Sequence, residues 1–234
     1  MQIASFIEHS FLDPTATLAD LERVCNEAMQ FNFAAICVPP LFVKKAKVLS
    51  TGSNLKIATV VGFPFGYNVI EAKVAETVLA IVDGADEINM MINMLALKNN
   101  DWQWLAKEIN TILTVVRKAG KIIKVIIEAG LLTREEIIAC CDIYGAAGID
   151  YIQTSTGYCD KVMSLETFLL IRKHLADPIQ LKHGDAIDTV SLNTWISAGA
   201  NRIVCKDPVI AVKRIANDTG GMIFDNEHAN KNLT

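Results

Sequence analysis

A closed (β/α)8 barrel, a TIM-barrel arrangement of the α/β class, is the fold this sequence predicts, on three observations. Short β-type runs alternate with longer helical ones at a fairly even interval. Eight such runs can be counted, and their apolar character suits strands covered on both faces, as in a parallel sheet wrapped by helices. No phosphate-cradling G-x-G-x-x-G follows the first run, which favours a closed barrel over a doubly wound sheet. A chain of 234 residues, 51% of them hydrophobic, buries a sizeable core without being split. Residues 1–217 are expected to form one barrel domain and 218–234 a C-terminal tail.

In chain order, strands are expected near Phe6–Glu8, Phe33–Val38, Lys56–Val61, Asp86–Ile92, Ile122–Ile127, Tyr151–Thr154, Ile179–Lys182 and Arg202–Val204. The helices between them carry start and stop signals. Thr17 followed by Asp20 resembles a capping box and predicts a helix from Leu18 to about Phe31; Thr133 followed by Glu136 is a stronger box for a helix running towards Gly145. Asn68, Asp101 and Ser164 are expected N-caps, and Gly84 and Gly199 stand where a left-handed residue ends a helix. Asp207-Pro208 pairs a cap with proline at the first helical position, for a last helix to about Asn217.

Composition narrows the partners. A net charge of −4 and a pI near 5.6 give no electrostatic case for nucleic acid or an anionic membrane, so small polar solutes are the expected ligands. No apolar stretch approaches the roughly 20 residues of a spanning helix, and Met1 to Glu8 lacks the regions of a signal peptide, which points to the cytoplasm. Six cysteines without C-x-x-C spacing read as buried free thiols. His183-x-Asp185 puts two ligand types on one side of an extended segment, with His9 as a third candidate, but this spacing is common by chance; no metal and no cofactor is expected.

In such barrels the active groups come from the C-terminal ends of the strands. Glu8-His9-Ser10 leaves the first strand, where Glu8 and Ser10 either line the pocket floor or satisfy hydrogen bonds at the rim. Cys37, on Ala34–Pro40, faces the mouth or serves as a small polarisable core residue. Thr59 to Gly66 ends the third strand, with Lys73 and Glu76 expected to pair on the surface of the next helix. Asn89 lies on the fourth strand and Lys124 and Glu128 on the fifth. Glu128 is a candidate general acid or base, or else a structural partner of Lys124 or Lys182. Gln153-Thr154-Ser155-Thr156-Gly157 ends the sixth, and Lys182-His183-Gly184-Asp185 the seventh.

These motifs, in this order over about residues 6 to 215, resemble the deoxyribose-phosphate aldolase family, and the resemblance implies a class I aldolase-like barrel. In that family the sixth-strand motif is Lys-Thr-Ser-Thr-Gly, whose lysine forms a Schiff base with the substrate carbonyl; here the position is Gln153. The proton-shuttling aspartate of the fourth strand is Asn89, which keeps the shape but does not titrate near neutral pH. The seventh-strand lysine is retained as Lys182. With Gln153 beside it in place of an ammonium, Lys182 is expected to stay protonated unless burial depresses its pKa. The phosphate loops depart as well: Asp185 and Ala186 stand for glycines, Asp188 for a basic residue, and Val204-Cys205-Lys206-Asp207 for a Gly/Ser run. Carboxylates there oppose a phosphate, since like charges ~4 Å apart repel by about 4 kcal/mol at an effective dielectric near 20. A Lys206 that swings in to hold phosphate is the opposing reading.

The sequence thus describes a diverged aldolase-like protein with a pocket for a small polar carbonyl compound. Lys182 and Glu128 are the catalytic candidates, and Glu8, Ser10, Cys37, Asn89, Lys124, Gln153, Thr154, Asp185 and Lys206 the binding candidates. A working deoxyribose-phosphate aldolase that uses Lys182, and a non-catalytic ligand-binding barrel, are the alternatives; under each reading the chain could form a homo-oligomer.

Overall fold

The apolar runs of the sequence become the wall of a barrel in the computed structural model, which describes residues 3–187, 192–205 and 207–218. The strands are Ile7–Ser10 (β1), Ala35–Val38 (β2), Lys56–Val61 (β3), Glu87–Met91 (β4), Ile122–Ile126 (β5), Tyr151–Gln153 (β6), Gln180–Ile187 (β7) and Arg202–Cys205 (β8). Each pairs in parallel with the next, and β8 returns to β1 through Ile7 opposite Ile203 and Glu8 opposite Val204, which closes the sheet. The helices are Leu18–Gln30 (α1), Val43–Leu49 (α2), Ile70–Val82 (α3), Met94–Lys98 (α4), Trp102–Lys118 (α5), Arg134–Ala147 (α6), Leu165–His174 (α7), Leu192–Ser197 (α8) and Pro208–Asp218 (α9).

The expected caps hold wherever the signal is local. Thr17 and Thr133 both form reciprocal capping boxes, and Asp101 and Ser164 accept from Trp104 and Thr167 backbone N–H groups. Asn68 does not cap α3. That helix begins at Ile70 after Val69, and the Asn68 amide donates instead to Glu76 Oε1 at 2.5 Å. The helix α2 fills the second strand–helix unit without a start or stop signal of its own, and α4 is an extra short helix before α5 that was not expected; Asn93 caps α4 by accepting from Ala96 N at 3.0 Å. The expected tail from 218 onward, together with Asp188 and Lys206, lies outside the described residues apart from Asp218 at the end of α9.

Side chains alternate across a strand, and the alternation sorts this barrel into two interiors. Ile7, Ile36, Ile57, Ile88, Val125 and Ile203 belong to the large apolar core that includes the helices. The other set turns inward: Cys37, Ala58 and Val60 form a small separate apolar cluster, while Glu8, Glu87, Asn89, Lys124, Lys182 and Arg202 are buried polar groups. No helix among the described residues is long and apolar enough to cross a membrane.

Candidate functional site

Five charged side chains from five strands meet inside the barrel, with Glu8 as their hub. Its Oε1 accepts from Lys182 Nζ, its Oε2 from Lys124 Nζ, and Arg202 Nη1 lies 3.7 Å from Oε2. Lys124 Nζ also donates to Glu87 Oε2, an oxygen that Arg202 Nη1 reaches at 3.5 Å. The Tyr151 ring lies 5.6 Å from Lys124 Nζ and 5.7 Å from Arg202 Cζ, close enough for a cation–π contact with each. Glu8, Lys124 and Lys182 are at most 1% exposed, so little of this is screened by solvent.

Two carboxylates face three cations, which leaves one positive charge in excess. The pKa directions show which group yields. Burial alone would raise Glu8, but Lys124, Lys182 and Arg202 reverse this and hold it well below the carboxylate range. Burial would lower Lys124, yet Glu8 and Glu87 together raise it; Arg202 is raised in the same way. For Lys182, burial wins: Glu8 pulls its pKa up, Lys124 pushes it down, and the net direction is downward. Lys124 therefore supplies the neighbouring ammonium that the Gln153 substitution was expected to remove.

The two amides sit close to this cluster. Asn89 Nδ2 donates to Glu8 Oε1 at 3.1 Å and to Cys37 Sγ at 3.3 Å, while its Oδ1 has no partner among the described residues. Burial, then Glu8, pushes the Cys37 thiol up to about 12, so it is no nucleophile near neutral pH. Gln153, in register with Lys182, donates from Nε2 to Ser155 O at 2.8 Å and leaves Oε1 without a partner among the described residues. Thr154 accepts from Gly184 N at 3.0 Å, a latch between β6 and β7, and Ser155 Oγ donates to Asp185 Oδ1 at 2.5 Å. Gly184 is required there, because a Cβ would lie 2.1 Å from Ser155 O. Ser10 ends β1, half-buried, opposite Cys37.

Leu12 and Phe63 pack onto the Cys37, Ala58 and Val60 cluster at the mouth. Tyr158 ties both down: its hydroxyl donates to Leu12 O at 2.9 Å and its ring meets Phe63 edge to face at 5.3 Å.

Glu128 stands apart from Lys182. Its Oε2 accepts from Thr156 N at 3.0 Å and from Thr156 Oγ1, while Oε1 is buried without a partner among the described residues. Its backbone is left-handed at φ 51° and ψ 57°, a conformation that costs a non-glycine residue about 1–3 kcal/mol and collects at functional sites. Glu128 helps line a cavity of about 310 Å³ at the mouth, whose walls do not include Lys182.

Other expected arrangements are corrected. Lys73 and Glu76 do not pair at the surface: Lys73 is wholly buried and donates to Glu108 Oε1 at 2.6 Å and Met91 O at 2.7 Å, while Glu76 accepts from Gly62 N at 2.7 Å. His183 packs at 4.0 Å between ring centroids against Trp195 of α8 and its Nδ1 lies 3.2 Å from the Asp185 backbone O, whereas His9 lies in a cleft with Arg23 and Glu27 of α1 and does not join them. Among the described residues no three His, Cys, Asp or Glu side chains are placed to hold a metal ion. Sequence reasoning missed Glu87 and Arg202, although Glu87 is two residues before Asn89 and so shares its inward face.

A closed eight-stranded parallel barrel with lysines and carboxylates on its inner strand faces has the architecture of the barrel aldolases. Comparison with known proteins narrows this class. The chain belongs to the DeoC/LacD family of aldolases, whose family model matches residues 4–201. It is 39% identical over 203 residues to the deoxyribose-phosphate aldolase of Clostridium botulinum (strain Eklund 17B / Type B), covering 86% of this chain and 90% of that protein. The deoxyribose-phosphate aldolase of Caldicellulosiruptor saccharolyticus is 41% identical, with 86% and 93% covered. Among solved structures, the aldolase QR15 matches with a TM-score of 0.87 at 29% identity, over 93% of this chain and 97% of that one. The tetrameric deoxyribose phosphate aldolase of Aeropyrum pernix matches at 0.83 and 25% identity, over 91% and 90%.

Proposed function

We propose that this chain is a diverged member of its family, in which ordinary cleavage of deoxyribose 5-phosphate is weak or lost and the barrel keeps a pocket for a small polar carbonyl compound. The observation that carries this is the fate of the two amides. Gln153 and Asn89 occupy the positions that the family resemblance assigns to the nucleophile and the proton shuttle, and both amide nitrogens are committed, to Ser155 O and to Glu8 with Cys37. Neither can form an imine or titrate near neutral pH.

Any imine chemistry then falls to Lys182. It is the amine in register with Gln153, and burial together with Lys124 favours its neutral, nucleophilic form. The excess charge of the cluster leaves with the proton that Lys182 gives up to become the neutral amine, and condensation of that amine with an aldehyde or ketone would then release one water. Asp185, buried at a position where the family carries glycine, disfavours a phosphate group on the ligand. The near-complete burial of Lys182 and its contact with Glu8 favour a second reading, a barrel that binds without turnover. Self-association, as in the tetrameric relative, and a cytoplasmic location belong to the same proposal.

Borohydride trapping with deoxyribose 5-phosphate, acetaldehyde and unphosphorylated aldehydes and ketones tests it, with peptide mass spectrometry locating the adduct. The expected result is negligible cleavage of deoxyribose 5-phosphate, and an adduct with an unphosphorylated carbonyl on Lys182 that Lys182→Met abolishes. Cleavage of deoxyribose 5-phosphate at a rate ordinary for an enzyme would overturn the proposal. No adduct from folded protein would overturn its imine part and leave the binding barrel.

A further inference from the structure

We propose that the cavity beside Glu128 binds the ammonium group of a small organic cation with an apolar body. The inference does not depend on Lys182, which is not part of the cavity wall.

Charge comes first. The described lining carries two carboxylates, Glu128 and Asp160, and no lysine, arginine or histidine. Glu128 is only 4% exposed, and its described partners are the Thr156 backbone N–H and hydroxyl, both on Oε2. Its Oε1 is sealed from solvent and has no hydrogen-bond partner among the described residues. A buried carboxylate lacking a cation is held at a cost in desolvation that two hydrogen bonds offset only in part. Turning the carboxylate towards the cavity would set Oε1 against an ammonium and supply both the missing donor and the missing charge, whereas an anion would meet two negative groups.

The rest of the wall fits the remainder of such a ligand. Phe65 and Tyr67 stack at 5.3 Å between centroids and stay 58% and 60% exposed; Tyr158 is 54% exposed. Aromatic rings that solvate poorly and carry negative faces suit an apolar stem that ends in a cation. At about 310 Å³ the cavity is at the small end of ligand sites, which limits the guest to a compound about the size of one aromatic ring and a short chain.

The test compares three probes of similar shape, 2-phenylethylamine, 2-phenylethanol and phenylacetate, by NMR or calorimetric titration of the full chain near pH 7. The amine is expected to bind saturably, about 10-fold or more tighter than the alcohol, as a charge-assisted hydrogen bond implies, and phenylacetate not to bind measurably. Glu128→Gln should remove that preference while leaving the alcohol unchanged. Tyr67→Ala, at an exposed ring away from the core, should weaken the amine several-fold and serves should the first variant not fold. Equal binding of amine and alcohol, binding of phenylacetate, or an unchanged affinity in either variant would overturn the proposal. A probe amine cannot be trapped on a lysine, so failure here is distinguishable from failure of the imine reading.

Discussion

Replacing Glu8 by glutamine removes the one carboxylate that Lys124 and Lys182 share. The cluster then holds one acid against three cations, an excess of two positive charges in place of one. Breaking a buried ion pair from one side typically costs about 3–5 kcal/mol, because the partner stays buried and uncompensated. At about 2–4 °C per kcal/mol for a chain of this size, the melting temperature should fall by roughly 6–20 °C near pH 7.

The pH dependence supplies the second half of the test. Glu8 has a folded pKa below its unfolded value, so its stabilisation is fully present above the unfolded value, about 4.3, and is lost as pH falls through the folded one. Glu8→Gln should therefore lose less stability than the parent on acidification below about pH 4.3. Lys182 has a folded pKa below its unfolded value of about 10.4, so between the two the unfolded chain binds the extra proton and stability rises with pH. Without Glu8 that window widens downward, and the variant should regain part of its loss as pH rises from 7. Lys182→Met, which removes the excess charge, should cost less than Glu8→Gln. Urea unfolding across pH 3–9 decides the matter. A Glu8→Gln variant within about 1 kcal/mol of the parent, with the same acid limb, would refute the reasoning.

Two further perturbations test the frame around the site. Lys73→Met strands the wholly buried Glu108 and the Met91 carbonyl, so it should cost about 3–5 kcal/mol in urea unfolding. Lys73→Met combined with Glu108→Leu should lie closer to the parent than Lys73→Met alone, and additive losses would refute the pairing. Gly184→Ala places a methyl 2.1 Å from Ser155 O, against backbone that cannot rotate away, so a loss of about 3 kcal/mol or more is expected by circular dichroism melting. A melting temperature unchanged within about 2 °C would mean that β6 and β7 are not locked as described.

What the sequence made legible was local. The capping boxes at Thr17 and Thr133, and the strand cores at Lys56 and Ile122, need only a few neighbouring residues to define them, and they fold as read. Asn68 misled because a cap is recognised by where the helix starts, and α3 starts at Ile70. Lys73 and Glu108 are 35 residues apart, so their pairing depends on α3 meeting α5 and leaves no periodic trace. The inward cluster was half readable. Lys124 and Lys182 carry the family motif, but Arg202 joins them only because β8 lies beside β7 and opposes it in register at Lys182. The neighbour that lowers the Lys182 pKa is Lys124, a residue 58 positions earlier, whose proximity no spacing rule gives.

Tyr158 fastens the loop after β6 to the loop after β1, across 146 residues of chain, and leans on Phe63. An exposed hydrogen bond of about 0.5–1.5 kcal/mol and an aromatic contact of similar size leave the latch undone for only about 1–20% of the time. A ligand bound for the floor at Cys37 would meet a closed door in most encounters, and its apparent affinity would fall to that fraction of its intrinsic value. Guests of the Glu128 cavity would meet Tyr158 as a wall, so filling that cavity would hold the latch shut and couple the two sites through one ring.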